Sequence, residues 1–112
     1  MPSNPILPGF NPDPSICRVK DKFYLATSTF EYFPGVPIYS SSNLVDWELL
    51  GHALSRPSQL QLRSVPPGGG VYAPTLRHHN GRFYMTTAIC YGRVSGMVSR
   101  FERFLSIMGQ VD

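Results

Sequence analysis

The sequence has no cluster of positive charge. Its ten Lys and Arg residues against seven Asp and Glu residues give a formal charge of +3, but no two Lys or Arg residues are adjacent. A nucleic-acid-binding surface needs basic residues gathered along a groove, with aromatic residues between them. The scattered charges therefore indicate an ordinary solvated surface, and we predict no nucleic-acid partner.

Cysteine is also scarce, with only Cys17 and Cys90 in the chain. No C-x-x-C pair is present, so the usual zinc and redox motifs have no support. Both cysteines stand beside apolar residues, which favours two buried free thiols over a disulfide. His78 and His79 are adjacent, and neighbouring side chains on a strand point to opposite faces, so we assign them no metal. We expect no metal site and no cofactor.

Long apolar runs are missing as well. A membrane-spanning helix needs about 20 apolar residues in succession, and no such stretch occurs, so we predict no membrane partner. The N-terminus lacks the basic segment and apolar run of a signal peptide. The compartment stays unknown, with the cytoplasm slightly favoured, and an upstream exon would change that expectation.

Turn-forming and aromatic residues are abundant instead. The chain contains 11 Pro, 10 Gly, seven Phe and six Tyr. Pro and Gly favour turns, whereas aromatic residues favour strands. This composition predicts an all-β chain of short strands.

The sequence repeats itself at an offset of 60 residues. Residues 14–28 align without gaps on residues 74–88, with an identical Pro, an identical Phe-Tyr pair and an identical Thr. Each copy is predicted to be a β-hairpin. Asn80-Gly81 is a strong type I′ turn signal in the second copy, and Lys20-Asp21 takes its place in the first.

Two further strands are predicted between the copies, at Ile38–Ser41 and Trp47–Leu50. Two hairpins make a four-stranded unit of about 60 residues, which describes one blade of a β-propeller. The alternative is an ordinary antiparallel meander. A propeller closes with about four to eight blades, whereas this chain has one blade and the first hairpin of a second. Open sheet edges predict self-association.

Four segments resemble glycoside hydrolase family 43, the β-xylosidase and α-L-arabinofuranosidase group. Residues 4–16 read Asn-Pro-Ile-Leu-Pro-Gly-Phe-Asn-Pro-Asp-Pro-Ser-Ile and are similar to the start of its catalytic domain. Residues 23–39 and 43–47 resemble its first blade, and residues 68–76 resemble the start of the second. The resemblance runs from about Asn4 to about Thr87. It implies a partial five-bladed β-propeller over residues 1–88.

The same resemblance implies an inverting glycoside hydrolase. Its substrates would be β-xylosides or α-L-arabinofuranosides in pentose-containing oligosaccharides, and Asp13 matches the family's general base. Pro12 and Pro14 restrict the backbone around Asp13, which suits a preorganised side chain. The competing interpretation is a turn residue that bonds its own backbone.

Phe30, Tyr72 and Ala73 match the positions that line the sugar subsite in this family. An aromatic ring suits the apolar face of a pentose, and a small residue leaves room for it. Family members often carry Trp where Tyr72 stands, so the stacking surface is smaller here. The alternative for both aromatic residues is core packing.

The family's general acid Glu and modulating Asp match no segment of this chain. Asp46 and Glu48 are predicted to be surface residues, and Glu31 follows Phe30 without matching the acid. The alternative function is therefore an inactive truncated fragment or a weak sugar-binding module. The resemblance implies that xylosidase or arabinofuranosidase preference depends on pocket residues of later blades, so this sequence does not separate the two.

The tail, residues 89–112, is predicted to diverge from the family and to lie outside the propeller. Its apolar residues recur at helical spacing, which predicts a helix. These residues are Val94, Met97, Val98, Phe101, Phe104, Leu105 and Met108. A second interpretation is intron read-through or a truncated gene prediction, because Val94-Ser95 can be encoded by a string that resembles a splice donor.

Overall fold

The computed structural model describes residues 3–56, 62, 65–90 and 101–110, and their regular elements are β-strands. In chain order they are β1 (Ser15–Val19), β2 (Lys22–Ala26), β3 (Gly35–Ser41), β4 (Glu48–Leu54), β5 (Gly70–His79), β6 (Arg82–Cys90) and β7 (Phe101–Gln110). The first four form sheet A in the order β1-β2-β3-β4, and the last three form sheet B in the order β5-β6-β7. All neighbours are antiparallel. The all-β prediction is confirmed.

No helix in the described part of the chain is long and apolar enough to cross a membrane.

The two hairpins of the repeat have the same register. Val19 lies opposite Lys22 in sheet A, and His79 lies opposite Arg82 in sheet B. The remaining β1–β2 pairs also recur 60 residues later in the β5–β6 hairpin. The sequence repeat is therefore a structural repeat, with the predicted strands in the predicted order.

The turns of the two hairpins explain this shared register. Asn80 and Gly81 have φ angles of 50° and 76°. Two successive positive φ angles define the type I′ turn, whose twist matches that of the flanking strands. Lys20 adopts a φ of 58° at the equivalent place in the first hairpin.

The core lies between the two sheets. Sheet A contributes Tyr24, Ala26, Val36 and Leu54, and sheet B contributes Val71, Leu76, Met85 and Ile89. The rings of Tyr24 and Phe83 meet across the interface, with centroids 4.6 Å apart and an interplanar angle of 64°. Edge-to-face packing of this kind is favourable for aromatic pairs. The sheets therefore stack face to face.

The helix predicted for the tail is wrong for residues 101–110. Phe101, Phe104, Leu105 and Met108 belong to β7, which pairs with β6 from Arg82–Gln110 to Cys90–Phe101. Without β7, one edge of β6 would leave its backbone hydrogen-bonding groups unpaired. Strand pairing at that edge overrides the helical spacing of the apolar residues. Val94, Met97 and Val98 lie outside the described residues.

The domain boundary predicted after residue 88 falls inside a strand. β6 continues from Arg82 to Cys90 across that position, and β7 pairs along its length. The division of the chain into residues 1–88 and 89–112 stays a prediction.

Candidate active site

Asp13 lies two residues before β1 and is solvent-exposed. The hydroxyl of Ser28 donates a hydrogen bond to Asp13 Oδ2 over 2.8 Å, and the backbone N–H of Ser28 donates to the carbonyl oxygen of Pro12 over 3.0 Å. Ser28 itself is fully buried at 0% exposure. A buried residue thus fixes both the carboxylate of Asp13 and the backbone before it.

The backbone at Asp13 has a φ of 52°, in the left-handed region. The following proline favours extended backbone at this position instead. Asp visits the left-handed region more readily than most residues, because its short polar side chain can make local hydrogen bonds. Pro12 and Pro14 therefore flank a tight bend that presents the carboxylate outward.

Phe30 also has a positive φ, 51°, which is rare for a bulky side chain. Its N–H donates to the carbonyl oxygen of Val71 over 3.0 Å, and its carbonyl oxygen accepts from the Val71 N–H over 2.8 Å. These two bonds form an isolated bridge between the loop after β2 and β5. Strained backbone of this kind collects at functional sites.

Gly70 allows this close approach of the two chains. A Cβ atom at residue 70 would lie 1.9 Å from the carbonyl oxygen of Phe30, and the φ of Gly70 is +98°. Both the space and the backbone angle therefore require glycine.

Four aromatic rings gather beside this bridge, and we call them the aromatic cluster: Phe10, Phe30, Tyr32 and Tyr72. Phe30 contacts Tyr72 with ring centroids 5.4 Å apart and an interplanar angle of 64°. Phe10 lies 5.7 Å from Phe30 and 5.9 Å from Tyr32. Phe10 and Tyr32 are 60% and 59% exposed, so the cluster presents apolar ring surface to solvent.

Glu31 and Tyr72 hold the loop that precedes β5. The backbone N–H of Gly68 donates to Glu31 Oε2 over 3.2 Å, and the Tyr72 hydroxyl donates to the Gly68 carbonyl oxygen over 2.6 Å. Two side chains therefore hydrogen-bond to the backbone of Gly68, one to its N–H group and one to its carbonyl oxygen. Glu31 acts here as a structural tie for the loop.

The structure brings the predicted site residues together to different degrees. Phe30 and Tyr72 are in direct ring contact. Asp13 is bonded to Ser28, two residues before Phe30 in the same loop. Ala73 follows Tyr72, is exposed, and lies where β5–β6 pairing is interrupted between Tyr72 and Thr75. The catalytic and sugar-binding roles of these residues stay predictions.

The repeat placed Asp13 and Ala73 at equivalent positions, but their surroundings differ. Asp13 precedes β1, whereas Ala73 lies within β5, which begins at Gly70. The additional residues of β5 pair with the end of β6, from Tyr72–Ala88 to Gly70–Cys90, and Val71 also bridges Phe30. The second strand therefore starts earlier because β6 is longer than β2 and gives these residues a partner.

The remaining candidate residues lie elsewhere. Asp46 is exposed and accepts a hydrogen bond from Asn43 Nδ2 over 2.8 Å within the β3–β4 turn. Glu48 is exposed on β4. His78 packs on Phe83, with ring centroids 5.0 Å apart. Cys17 is a free, half-buried thiol, and burial raises its pKa while the nearby Arg77 opposes that shift.

Sequence reasoning did not single out Ser28, Phe10 or Gly70. A signal for Ser28 existed in the repeat, because Thr27 and Thr87 are identical while Ser28 aligns with Ala88. The first copy thus has a hydroxyl donor for Asp13, whereas the second copy has Ala88 at that position and Ala73 in place of the Asp. Phe10 stands two residues before the Pro-Asp-Pro bend, and Gly70 ends a run of three glycines.

This arrangement suits acid–base chemistry on a ligand with an apolar face. An exposed carboxylate oriented by a buried hydroxyl can hold and deprotonate a water molecule. Neighbouring aromatic rings can pack against the C–H surface of a sugar. No group of three His, Cys, Asp or Glu residues that could hold a metal ion occurs in the described ranges.

Comparison with known proteins identifies close relatives. The sequence profile described as "Glycosyl hydrolases family 43" matches residues 2–102. A non-reducing end α-L-arabinofuranosidase from Bacteroides ovatus is 64% identical over 83 residues, which is 73% of this chain and 16% of that protein. A β-xylosidase from Bacillus subtilis is 53% identical over 83 residues, which is 74% of this chain and 16% of that protein.

Solved structures agree with the sequence comparison. The crystal structure of a xylan β-1,4-xylosidase from Bacillus halodurans superposes with a TM-score of 0.91 at 41% identity, covering 99% of this chain and 21% of that one. The chain thus spans about one-sixth to one-fifth of the length of these relatives. The profile match reaches residue 102, so the expected end of family resemblance near residue 88 is too early.

Proposed function

Because this chain belongs to glycosyl hydrolase family 43, we propose that it carries the general-base half of an inverting glycosidase site. The family consists of glycosidases with a β-propeller fold. The proposed substrates are β-xylosides and α-L-arabinofuranosides in xylan-derived oligosaccharides. In this proposal sheet A is the first blade of a five-bladed propeller, and sheet B is the start of the second.

The observation that carries the proposal is the Ser28–Asp13 hydrogen bond beside the aromatic cluster. With Oδ2 accepting from Ser28 over 2.8 Å, the carboxylate is oriented before substrate arrives. Asp13 accepts a proton from a water molecule as that water attacks the anomeric carbon and the glycosidic C–O bond breaks; the leaving oxygen is protonated by the family's general acid Glu, which no residue of this chain matches. Inversion requires this water between the base and the sugar, with the two catalytic carboxyl groups about 6.5–9.5 Å apart.

The aromatic residues receive the sugar in this proposal. Phe30 and Tyr72 offer ring surfaces to the C–H face of a pentose, and Ala73 leaves room beside them. The Tyr72 hydroxyl is held by Gly68, so the ring is fixed in orientation before the sugar binds. A preorganised surface loses less side-chain entropy on binding.

A second candidate function follows from the length of the chain. It covers 16% of each curated relative quoted above, and no residue matches the family's general acid or modulating Asp. Loss of general acid–base assistance is typically worth about 10²–10⁴-fold in rate. By itself the 112-residue chain would then bind a pentose weakly without hydrolysing its glycosides.

Hydrolysis and binding assays distinguish these functions. The purified chain is incubated with nitrophenyl β-xyloside and nitrophenyl α-L-arabinofuranoside, and xylose and arabinose binding is followed by NMR chemical-shift changes. We expect binding without measurable turnover. The matched control for Asp13→Asn is Asp21→Asn, in the exposed β1–β2 turn. Turnover that Asp13→Asn abolishes and Asp21→Asn leaves intact would show that the chain is an active enzyme by itself.

A further inference from the structure

A cavity lies between the two sheets at the hairpin-turn end of the molecule. Beyond the core the sheets part at their turns and leave a cleft of about 470 Å³. Pockets that bind small molecules commonly have volumes of about 300–1,000 Å³. We call this space the turn cleft, and its walls are formed chiefly by Val19, Lys20, Asp21, Lys22, Tyr24 and His78.

The turn cleft is separate from the candidate active site. Asp13 stands before the start of β1, whereas Val19 ends that strand. The steps from Ser15 to Val19, at about 3.3 Å each, make β1 roughly 13 Å long. A ligand in the turn cleft therefore lies beyond reach of the Asp13 carboxylate, and its binding does not depend on the proposed hydrolysis.

Strand alternation directs side chains from both sheets into the turn cleft. Lys22 shares a face of β2 with Tyr24, two positions along, and His78 shares a face of β5 with Leu76. Tyr24 and Leu76 belong to the core between the sheets, so these two faces are turned toward each other. Lys22 and His78 therefore approach the cleft from opposite walls.

The two hairpin turns form the mouth of the turn cleft. A Cβ atom at Gly81 would have no atom of the described residues within 4 Å, so the turn of sheet B leaves open space there. In the turn of sheet A, Arg18 Nε donates a hydrogen bond to the Lys20 carbonyl oxygen over 2.8 Å. The mouth thus has one side without a side chain and one fixed side that carries charged groups.

His78 brings an unpaired polar atom to the wall of the turn cleft. Its ring packs on Phe83, and its Nε2 is buried without a hydrogen-bond partner among the residues that the structure describes. Buried polar atoms in native proteins nearly always have a partner, and an exception often marks a bound water or ion. A ring nitrogen that carries its proton is a donor, so Nε2–H needs an acceptor.

The charges around His78 indicate which kind of acceptor fits. Lys20 and Lys22 bring two positive charges to the lining, against the one negative charge of Asp21. An anion supplies the acceptor for Nε2–H and is attracted by the two ammonium groups.

We propose that the turn cleft binds a small organic anion, a carboxylate or a phosphate on a body the size of a sugar ring. One oxygen of the anion accepts a hydrogen bond from His78 Nε2–H, and the Lys20 and Lys22 ammonium groups balance its charge. Val19 and Tyr24 pack against the C–H surface of the body. The volume of about 470 Å³ accommodates a ring as well as the charged group.

NMR titration of the isotope-labelled chain tests this binding, at low ionic strength so that the charges are not screened. Glucuronate and glucose-6-phosphate are the charged probes, and glucose is the uncharged match. The backbone amides of residues 19–22 and 78–82 should shift and saturate with at least one charged probe and should not respond to glucose. The charged probe with the lower Kd shows whether the site prefers a carboxylate or a phosphate.

Adjacent histidines provide a variant and its matched control. His78→Phe keeps an aromatic ring against Phe83 but removes Nε2, and it should raise the Kd about tenfold or more, as expected for the loss of a hydrogen bond to a charged group. His79→Phe changes the neighbouring exposed residue, which lies on the opposite face of β5, and should leave the Kd unchanged.

Charge substitutions should act with opposite signs. Lys22→Gln should raise the Kd about two- to fivefold, and Asp21→Asn should lower it by a similar factor, since each changes one exposed charge beside the anion. Arg82→Gln is the control, because Arg82 occupies the place equivalent to Lys22 in the second hairpin and lies outside the cleft lining. Asp13→Asn should also bind the probes like the wild type, which separates the turn cleft from the candidate active site.

Three results would overturn the proposal. They are no binding of either charged probe, binding of glucose as tight as that of the charged probes, and a folded His78→Phe variant with the wild-type Kd. The amide spectrum of each variant establishes that it is folded. If His78→Phe does not fold, Lys22→Gln and Asp21→Asn, both at exposed residues, decide the outcome, and an unchanged Kd in both contradicts the proposal.

Discussion

Ser28 and Asp13 are joined by a hydrogen bond of 2.8 Å between the buried Ser28 hydroxyl and Asp13 Oδ2. The bond spans 15 residues of sequence and links the loop after β2 to the bend before β1. It sets the direction in which the carboxylate points.

Ser28→Ala should destabilise the protein by about 1 kcal/mol, because it removes the hydrogen-bond donor to the Asp13 carboxylate. Urea denaturation followed by circular dichroism gives the free energy of unfolding. In a double-mutant cycle with Asp13→Ala, the two losses should be less than additive, since both variants remove the same bond. Ser42→Ala, in the exposed β3–β4 turn, is the control and should change stability little. Strict additivity of the two changes would show that the bond contributes nothing.

Gly70→Ala should be far more damaging than Gly68→Ala. Both glycines have positive φ angles, +98° and +81°, so both substitutions strain the backbone. Only at residue 70 would the new Cβ also meet the Phe30 carbonyl oxygen, at 1.9 Å, whereas nothing lies within 4 Å at residue 68. Thermal unfolding should show a larger drop in Tm for Gly70→Ala. Equal drops would mean that the Phe30–Val71 bridge does not require glycine.

Phe30 and Tyr72 should contribute most of the affinity for a pentose. Phe30→Ala and Tyr72→Ala each remove a ring from the proposed sugar subsite and should raise the Kd for xylose or arabinose about five- to tenfold, as expected for a loss near 1 kcal/mol. NMR titration measures the Kd. Leu44→Ala, an exposed apolar residue at the β3–β4 turn, should leave it unchanged. If all three variants bind alike, the rings are core-packing residues only.

The sequence could predict the hairpins because their signals are local. Asn80-Gly81 indicates a specific turn, and the repeated Phe-Tyr pairs begin the strands that follow. Asp13 could be located because the motif around it is continuous in sequence. Ser28 could not be assigned as its partner, since that contact exists only after β2 has folded back beside the N-terminal segment.

The strand at residues 101–110, in contrast, could not be predicted from local sequence. Apolar residues between 101 and 110 recur at a spacing that suits a helix, yet β7 pairs with β6 over its whole length. Periodicity reports only which residues can share a face of an isolated element. The pairing edge of β6 is a tertiary feature, so no local pattern in residues 101–110 could reveal it.

Deprotonation of the Cys17 thiol should lower the free energy of unfolding at alkaline pH. Burial raises its pKa above the ordinary value, with Arg77 opposing the shift, so the folded state holds the thiol proton more tightly than the unfolded state does. The resulting stabilisation is complete below the unfolded pKa and is lost as pH rises through the folded pKa. Urea denaturation across the alkaline range measures it. Cys17→Ala should flatten this decline, and a slope identical to that of the wild type would assign the decline to other groups.

The catalytic role of Asp13 is tested most directly in a complete propeller. Residues 3–88 of this chain replace the matching segment of the Bacteroides ovatus α-L-arabinofuranosidase, to which the chain is 64% identical over 83 residues. The folded chimera should hydrolyse nitrophenyl α-L-arabinofuranoside with inversion, and Asp13→Asn should lower kcat by about 10²–10⁴-fold while Asp21→Asn leaves it unchanged. A folded chimera whose Asp13→Asn variant retains its kcat would contradict the assignment of Asp13 as the general base.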